Sequence, residues 1–262
     1  MGSQSRRVTQ KFFMTNSLTM DQRLAEVKRV FETPQWYLKG RAYHVRVRID
    51  IVQEFLKNQK FERALDIGCG DGSISLPLLT VTRRLTLLDM SESMLSIARS
   101  HVPAGFTDAV ETVSGDCLGA KLEKNAYDLV ICLGVFAYID KPEKLVEKLS
   151  SVLKSGGHLI VECSDKDHFM SSLMRTYDRL KGIMVKPKFR TEAHSAAQIM
   201  ARFKAAGFEL CGSFRYSAPT RVSRKLFSQD FHYRKIRAVY GTAARNRASW
   251  LGNECIFHFR KP

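Results

Sequence analysis

The sequence predicts an α/β fold built on a parallel sheet, and three observations predict it. Short apolar runs of strand length recur between residues 61 and 215, segments of helical period separate them, and a glycine-rich turn closes the first run. Strands are expected near 63–67, 84–88, 109–114, 127–133 and 157–163, a sixth from Phe208 to Phe214 and a seventh over Cys255-Ile256-Phe257-His258-Phe259.

Taken in order, residues 17–58 have a helical pattern with a break near Pro34, so residues 1–60 are expected to form an N-terminal helical cap on a core of residues 61–262. The first strand ends in Leu65-Asp66-Ile67-Gly68-Cys69-Gly70-Asp71-Gly72, and Ser73 to Leu79 reads as the start of a helix. The run Leu85-Thr86-Leu87-Leu88 ends in Asp89, and Ser91-Glu92-Ser93 opens a helix. Gly115-Asp116-Cys117 closes the third strand. The helix from Pro142 to Leu153 puts Leu145, Leu149, Val152 and Leu153 on one face, and Gly156 is expected to turn the chain into the fifth strand. Another helix begins near Ser195, with Ile199, Phe203 and Ala206 at helical spacing, and stops at Gly207. Insertions over 164–194 and 216–253 carry too much apolar surface to stay in water, so they are expected to pack as helices and to contact substrate.

The glycine turn has a defined preference. Glycines let the backbone take positive φ and approach a ligand closely. The dinucleotide fingerprint, however, wants a glycine where this chain has Ser73, and Asp66 would repel a pyrophosphate. A carboxylate in that place suits an ammonium or sulfonium. Asp89, 17 positions past Gly72, can accept hydrogen bonds from both hydroxyls of a ribose. Read singly, the turn also fits a purely structural role and Asp89 fits a helix cap.

The ordered series of Asp66 with its glycine turn, Asp89, Gly115-Asp116-Cys117, Tyr127 to Gly134 and Leu153 to Glu162 resembles the class I S-adenosylmethionine-dependent methyltransferases, nearest to those of ubiquinone and menaquinone biosynthesis and of natural-product pathways. The resemblance implies a Rossmann-like, seven-stranded, mostly parallel sheet with helices on both faces and an antiparallel last strand. It also implies an S-adenosyl-L-methionine site made of Asp66, Gly68, Cys69, Gly70, Asp89, Met90, Asp116, Cys117 and Leu133. In this family the position of Asp66 lies near the methionine amino group, that of Asp89 binds ribose and that of Asp116 reads the adenine amino group.

After the fourth strand, Leu133-Gly134-Val135-Phe136-Ala137-Tyr138 lacks the Asn/Asp-Pro-Pro-aromatic motif of base-amino methylation. Phe136 and Tyr138 are therefore expected to wall an acceptor pocket, with His194 beside them. A hydroxyl acceptor needs a base, whereas a neutral amine does not. Of the seven histidines, His168 beside Asp165 and Asp167 is the expected base, followed by His194 and His44.

Composition narrows the class. No apolar run reaches the length of a membrane span, and the opening residues lack a signal-peptide core, so a cytoplasmic protein is expected. Six cysteines without a C-x-x-C pair read as reduced core residues, and no metal is expected. Residues 1–60 hold 12 Lys/Arg against 5 Asp/Glu and residues 211–262 hold 11 against 2, so the formal charge of +16 sits wholly on the flanks. An electropositive rim would steer an anionic or carrier-bound small-molecule acceptor. RNA facing Arg221, Arg224, Lys225, Arg234, Lys235, Arg237, Arg245 and Arg247 is the first alternative, and a cofactor-binding protein without methyl transfer is the second.

Overall fold

The computed structural model describes residues 42–180 and 194–262, together with 25, 28, 29, 32 and 192. Its centre is a seven-stranded sheet of β1 (Phe61–Ile67), β2 (Thr82–Asp89), β3 (Val110–Ser114), β4 (Tyr127–Cys132), β5 (Leu153–Ser164), β6 (Glu209–Tyr216) and β7 (Glu254–Arg260). The order is β3-β2-β1-β4-β5-β7-β6. β1 to β5 pair in parallel, and β7 inserts antiparallel between β5 and β6. The order reverses between β1 and β4, which is where an open α/β sheet leaves a crevice at its strands' carboxyl ends.

Seven α-helices are described: α1 (Ala42–Phe55), α2 (Glu92–Ser100), α3 (Pro142–Val152), α4 (Phe169–Leu180), α5 (Ala196–Ala205), α6 (Arg221–Leu226) and α7 (Gln229–Tyr240). Apolar stripes bury them. Leu145, Val146, Leu149 and Val152 of α3 join Ile199 and Phe203 of α5 on one face of the sheet, while Val47, Ile51 and Val52 of α1 join Ile236 and Tyr240 of α7 on the other. Ser91, Ser195 and Ser228 cap α2, α5 and α7 by accepting the N–H of Met94, Gln198 and Phe231. No helix among the described residues is long and apolar enough to cross a membrane.

Three expectations change. Ser73 to Leu79 does not open an α-helix: turns lead to a short 3-10 segment, Leu76–Thr80, because Pro77, the fifth residue of the expected helix, has no N–H to bond the Ser73 carbonyl. Gly156 does not separate α3 from β5. The strand begins at Leu153 and passes through Gly156 and Gly157 as an irregularity in its pairing with β4. Both insertions contain helices, yet Phe169, Leu173, Leu226, Phe227 and Trp250 remain exposed rather than packed away. Of the helical pattern over 17–58, α1 covers 42–55, and nearly all of 17–41 lies outside the described residues.

Between β5 and β7, His158 Nδ1 and His258 Nε2 approach to 2.8 Å with their rings stacked, and Phe55 lies against His258. Burial, then the neighbouring imidazole, pushes His258 from 6.5 down to about 4, and burial also lowers His158. The unfolded chain therefore takes up protons that the folded chain refuses. The stability of the neutral pair is complete above about pH 6.5 and is lost as pH falls through that window toward 4. Urea titrations should show a loss on the order of 2 kcal/mol across it, and His258→Phe should flatten that slope; an unchanged slope would refute the assignment.

Candidate functional site

The carboxyl ends of β1, β2 and β4 converge on the glycine turn. Gly68 and Cys69 hang from β2 through their N–H groups, which donate to the Leu88 carbonyl at 2.8 and 3.1 Å. Gly68 has φ +72°, and a Cβ there would lie 2.5 Å from Val135 Cγ2, so only glycine lets this turn seat against the β4 turn. Asp89 braces the arrangement. Its Oδ2 accepts the Gly70 N–H and its Oδ1 the Ser91 N–H, both at 2.9 Å, so one carboxylate ties the glycine turn to the start of α2. Met90, half-buried, follows directly.

Asp66 is 3% exposed at the end of β1. Desolvation raises its pKa to about 7, with the Ser75 hydroxyl and the Arg48 charge opposing and Asp89 assisting. A buried carboxylate held half-protonated near neutrality, beside a glycine turn open to close approach, suits a cationic group that would restore its charge. Asp116 is placed differently: its Oδ1 and Oδ2 accept the N–H groups of Leu118 and Gly119, each at 2.8 Å, so it shapes its own turn. Leu133 is buried at the end of β4. Burial pushes the Cys69, Cys117 and Cys132 thiols up, that of Cys117 to about 12, so these cysteines are not nucleophiles at neutral pH.

The expected acceptor residues separate. Phe136 has no exposed surface; it packs edge-on against Phe203 and His194 and belongs to the core rather than to a pocket wall. Its position in a 3-10 turn, directed under α5, is the reason. Tyr138 is half-buried. His194 directs Nε2 at the carbonyls of Phe136 and Ile139, at 2.9 and 2.8 Å, and so fastens that turn. His168 is not placed as a base. Its Nε2 meets the Trp250 carbonyl at 2.9 Å and its Nδ1 accepts the Met170 N–H at 3.2 Å, so both nitrogens serve to tie one insertion to the other.

The sequence reading missed a buried ion pair. Arg48 of α1 donates through Nε to Glu162 Oε1 at 3.1 Å and pairs through Nη2 with Glu162 Oε2, both residues being under 7% exposed. The Tyr216 hydroxyl donates to the same Oε1 at 3.3 Å, and His44 Nε2 stands 3.9 Å from it. Arg48 also lies where a side chain at Gly134 would be: a Cβ there would be 3.1 Å from Nη2, and Gly134 has φ +77°. The cluster thus borders the β4 turn and, through it, the glycine turn. Its sequence signal was available: Glu162 is a lone charge in an apolar strand, and Arg48 lies in the apolar stripe of α1.

The basic flank is partly neutralised. Arg237 pairs with Glu54 and lies 3.6 Å from Asp50 of α1, Arg234 meets Asp230 at 2.7 Å, and Arg46 reaches the same aspartate at 2.8 Å while covering the Tyr233 ring. Three cations of α1 and α7 therefore serve helix pairing or local structure rather than presenting a continuous stripe.

A family profile described as "Methyltransferase domain" matches residues 65–161. The ubiquinone biosynthesis O-methyltransferase of Burkholderia ambifaria is 31% identical over 179 residues, covering 68% of each chain. That of Marinobacter nauticus is 31% identical over 108 residues, 40% of this chain and 45% of that protein, so the match spans less than half of this relative's length. Among solved structures, magnesium protoporphyrin IX methyltransferase from Synechocystis with bound SAH has a TM-score of 0.63 at 16% identity, covering 92% of this chain and 100% of that one, a likeness of fold.

Removing one partner of the buried pair leaves an uncompensated charge, which typically costs about 3–5 kcal/mol. Glu162→Ala should destabilise the protein on that scale in urea, with Arg48→Met, Glu162→Leu recovering most of the loss; equal instability of the double variant would show that packing, not charge, is at stake.

Proposed function

The chain belongs to the class I S-adenosylmethionine-dependent methyltransferases, and on that premise we propose that it transfers a methyl group to an O, N or C centre of a small, anionic or carrier-bound metabolite. The observation that carries this reading is the meeting of the Asp66 carboxylate, the glycine turn and the braced Asp89 at the point where strand order reverses.

Asp66 would hold the amino group of the cofactor's methionine portion, the 68–70 backbone would line it, Asp89 would take the ribose hydroxyls on lone pairs left beside its two backbone contacts, and Asp116 would face the adenine. Bound there, S-adenosylmethionine supplies an electrophilic methyl group on a sulfonium. The chain's own task is to position the acceptor in line and exclude water. Where the acceptor is a hydroxyl, its proton has to be held during transfer. His44, at the rim of the cluster with 12% of its side chain exposed and Glu162 behind it, is better situated for this than His168. The charge left on the two flanks favours an acidic acceptor by steering.

Two outcomes test the cofactor assignment. Asp89→Ala should weaken S-adenosylmethionine binding by about 10- to 100-fold in calorimetry while the fold persists; unchanged affinity would remove Asp89 from the site. Ionised Asp66 is the form that attracts an ammonium, so affinity should be full above pH 7 and fall up to about tenfold per unit below it. Asp66→Asn should bind weakly at every pH and lose this dependence. His44→Gln should lower the turnover of a hydroxyl acceptor by about 100-fold or more without changing cofactor affinity; unaltered turnover would assign the proton elsewhere.

A further inference from the structure

The late insertion borders a half-open cavity. It has a volume of about 280 Å³ and lies between the chain following β6, at Ser217 to Thr220, and one side of α7 on which His232, Ile236 and Tyr240 are buried and Lys235 and Val239 exposed. That face follows helical spacing: His232, Lys235, Ile236, Val239 and Tyr240 recur at i, i+3, i+4, i+7 and i+8. An imidazole therefore stands where the pattern calls for an apolar residue. His232 is 1% exposed, and neither of its ring nitrogens has a partner among the described residues. Buried polar atoms are nearly always hydrogen-bonded, so an imidazole that lines a cavity with neither nitrogen met is a place for a ligand to supply a missing partner once the ring turns toward it.

The surroundings define what that is. Tyr43 of α1 and Phe227 and Phe231 at the α6–α7 junction stand edge-on around the imidazole, with centroids at 5.8, 6.3 and 5.8 Å. The cavity wall supplies the Lys235 ammonium and the hydroxyls of Thr220 and Ser223, that of Ser217 being engaged by the Leu251 carbonyl and Asn253, and it contains no carboxylate. Donors on one side and an apolar wall of Ile236, Val239 and Tyr240 on the other fit a small organic anion with a hydrocarbon body. The volume limits it to a small body. The place also connects to the methyl-transfer region: Tyr43 adjoins His44, and Ser217 follows Tyr216, whose hydroxyl reaches Glu162.

We propose that this cavity receives the carboxylate end of the methyl acceptor, with His232 as its hydrogen-bonding anchor and Lys235 as its charge partner. The assignment rests on the methyltransferase reading and gives its acidic acceptor a place.

The test uses benzoate as a probe on the full chain loaded with S-adenosylhomocysteine, followed by nitrogen NMR of the histidine rings and by calorimetry. Benzoate should perturb both ring nitrogens of His232, and benzyl alcohol should bind at least tenfold more weakly. His232→Leu, and the more conservative His232→Gln should the first not fold, should weaken benzoate at least tenfold. Lys235→Gln should reduce the salt dependence of its binding. S-Adenosylhomocysteine affinity should remain unchanged in all three variants. Silence of the His232 signals toward benzoate, or equal binding of benzyl alcohol, would overturn the proposal. Phenyl phosphate binding tenfold tighter than benzoate would overturn the carboxylate in favour of a phosphate. Failure of the wild-type protein to bind S-adenosylhomocysteine would instead strike the methyltransferase reading, so the two failures are distinguishable.

Discussion

The ion pair of Arg48 and Glu162 lies almost without solvent at the centre of the site, and the rest of the site is arranged around its cost. Two charges removed from water are tolerated only when each is closely met. Glu162 is met by two guanidinium nitrogens and the Tyr216 hydroxyl, which fixes α1, β5 and β6 relative to one another. The guanidinium in turn requires a residue without a side chain at 134, and its charge is felt at Asp66. The pair therefore sets the spacing of the β4 turn and tempers the protonation of the carboxylate at the end of β1.

The sheet was legible because its signals are local. The central strands β1, β2, β4 and β5 each contain a compact apolar run, turns beside them carry glycine or a carboxylate, and tertiary context has little room to override them. The reversed direction of the seventh strand came from the resemblance, since an apolar run carries no direction. The glycine turn and Asp89 were legible for the same local reason, and the structure places them together at strand ends. What was not legible depends on direction in space. Phe136 and His168 look available in one dimension; one turns under α5 and the other is committed to two backbone groups. The Arg48 cluster assembles residues from positions 44 to 216, and nothing local announces that they meet.

Charge behaves in the same way. The excess of Lys and Arg on the flanks reads as one electropositive rim, but Glu54, Asp50 and Asp230 absorb part of it by pairing α1 with α7 or by fixing α7 to itself. Exposed pairs of this kind contribute little energy each, whereas several acting together orient two helices. The charge that remains to meet a ligand is smaller and more localised than composition suggests, and Lys235, though exposed, borders a cavity.

The pairing of α1 with α7 also governs how the protein is made. The two helices lie about 183 positions apart in sequence, yet they pack against one another and share ion pairs. A ribosome adding about 5–20 residues per second delivers α7 some ten or more seconds after α1. Through that interval the apolar stripe of α1, with Arg48 inside it, lacks the surface that finally covers it. The nascent chain thus carries an amphipathic helix without its final cover for most of its synthesis, and conditions that shelter such helices should govern its yield more than the finished stability does.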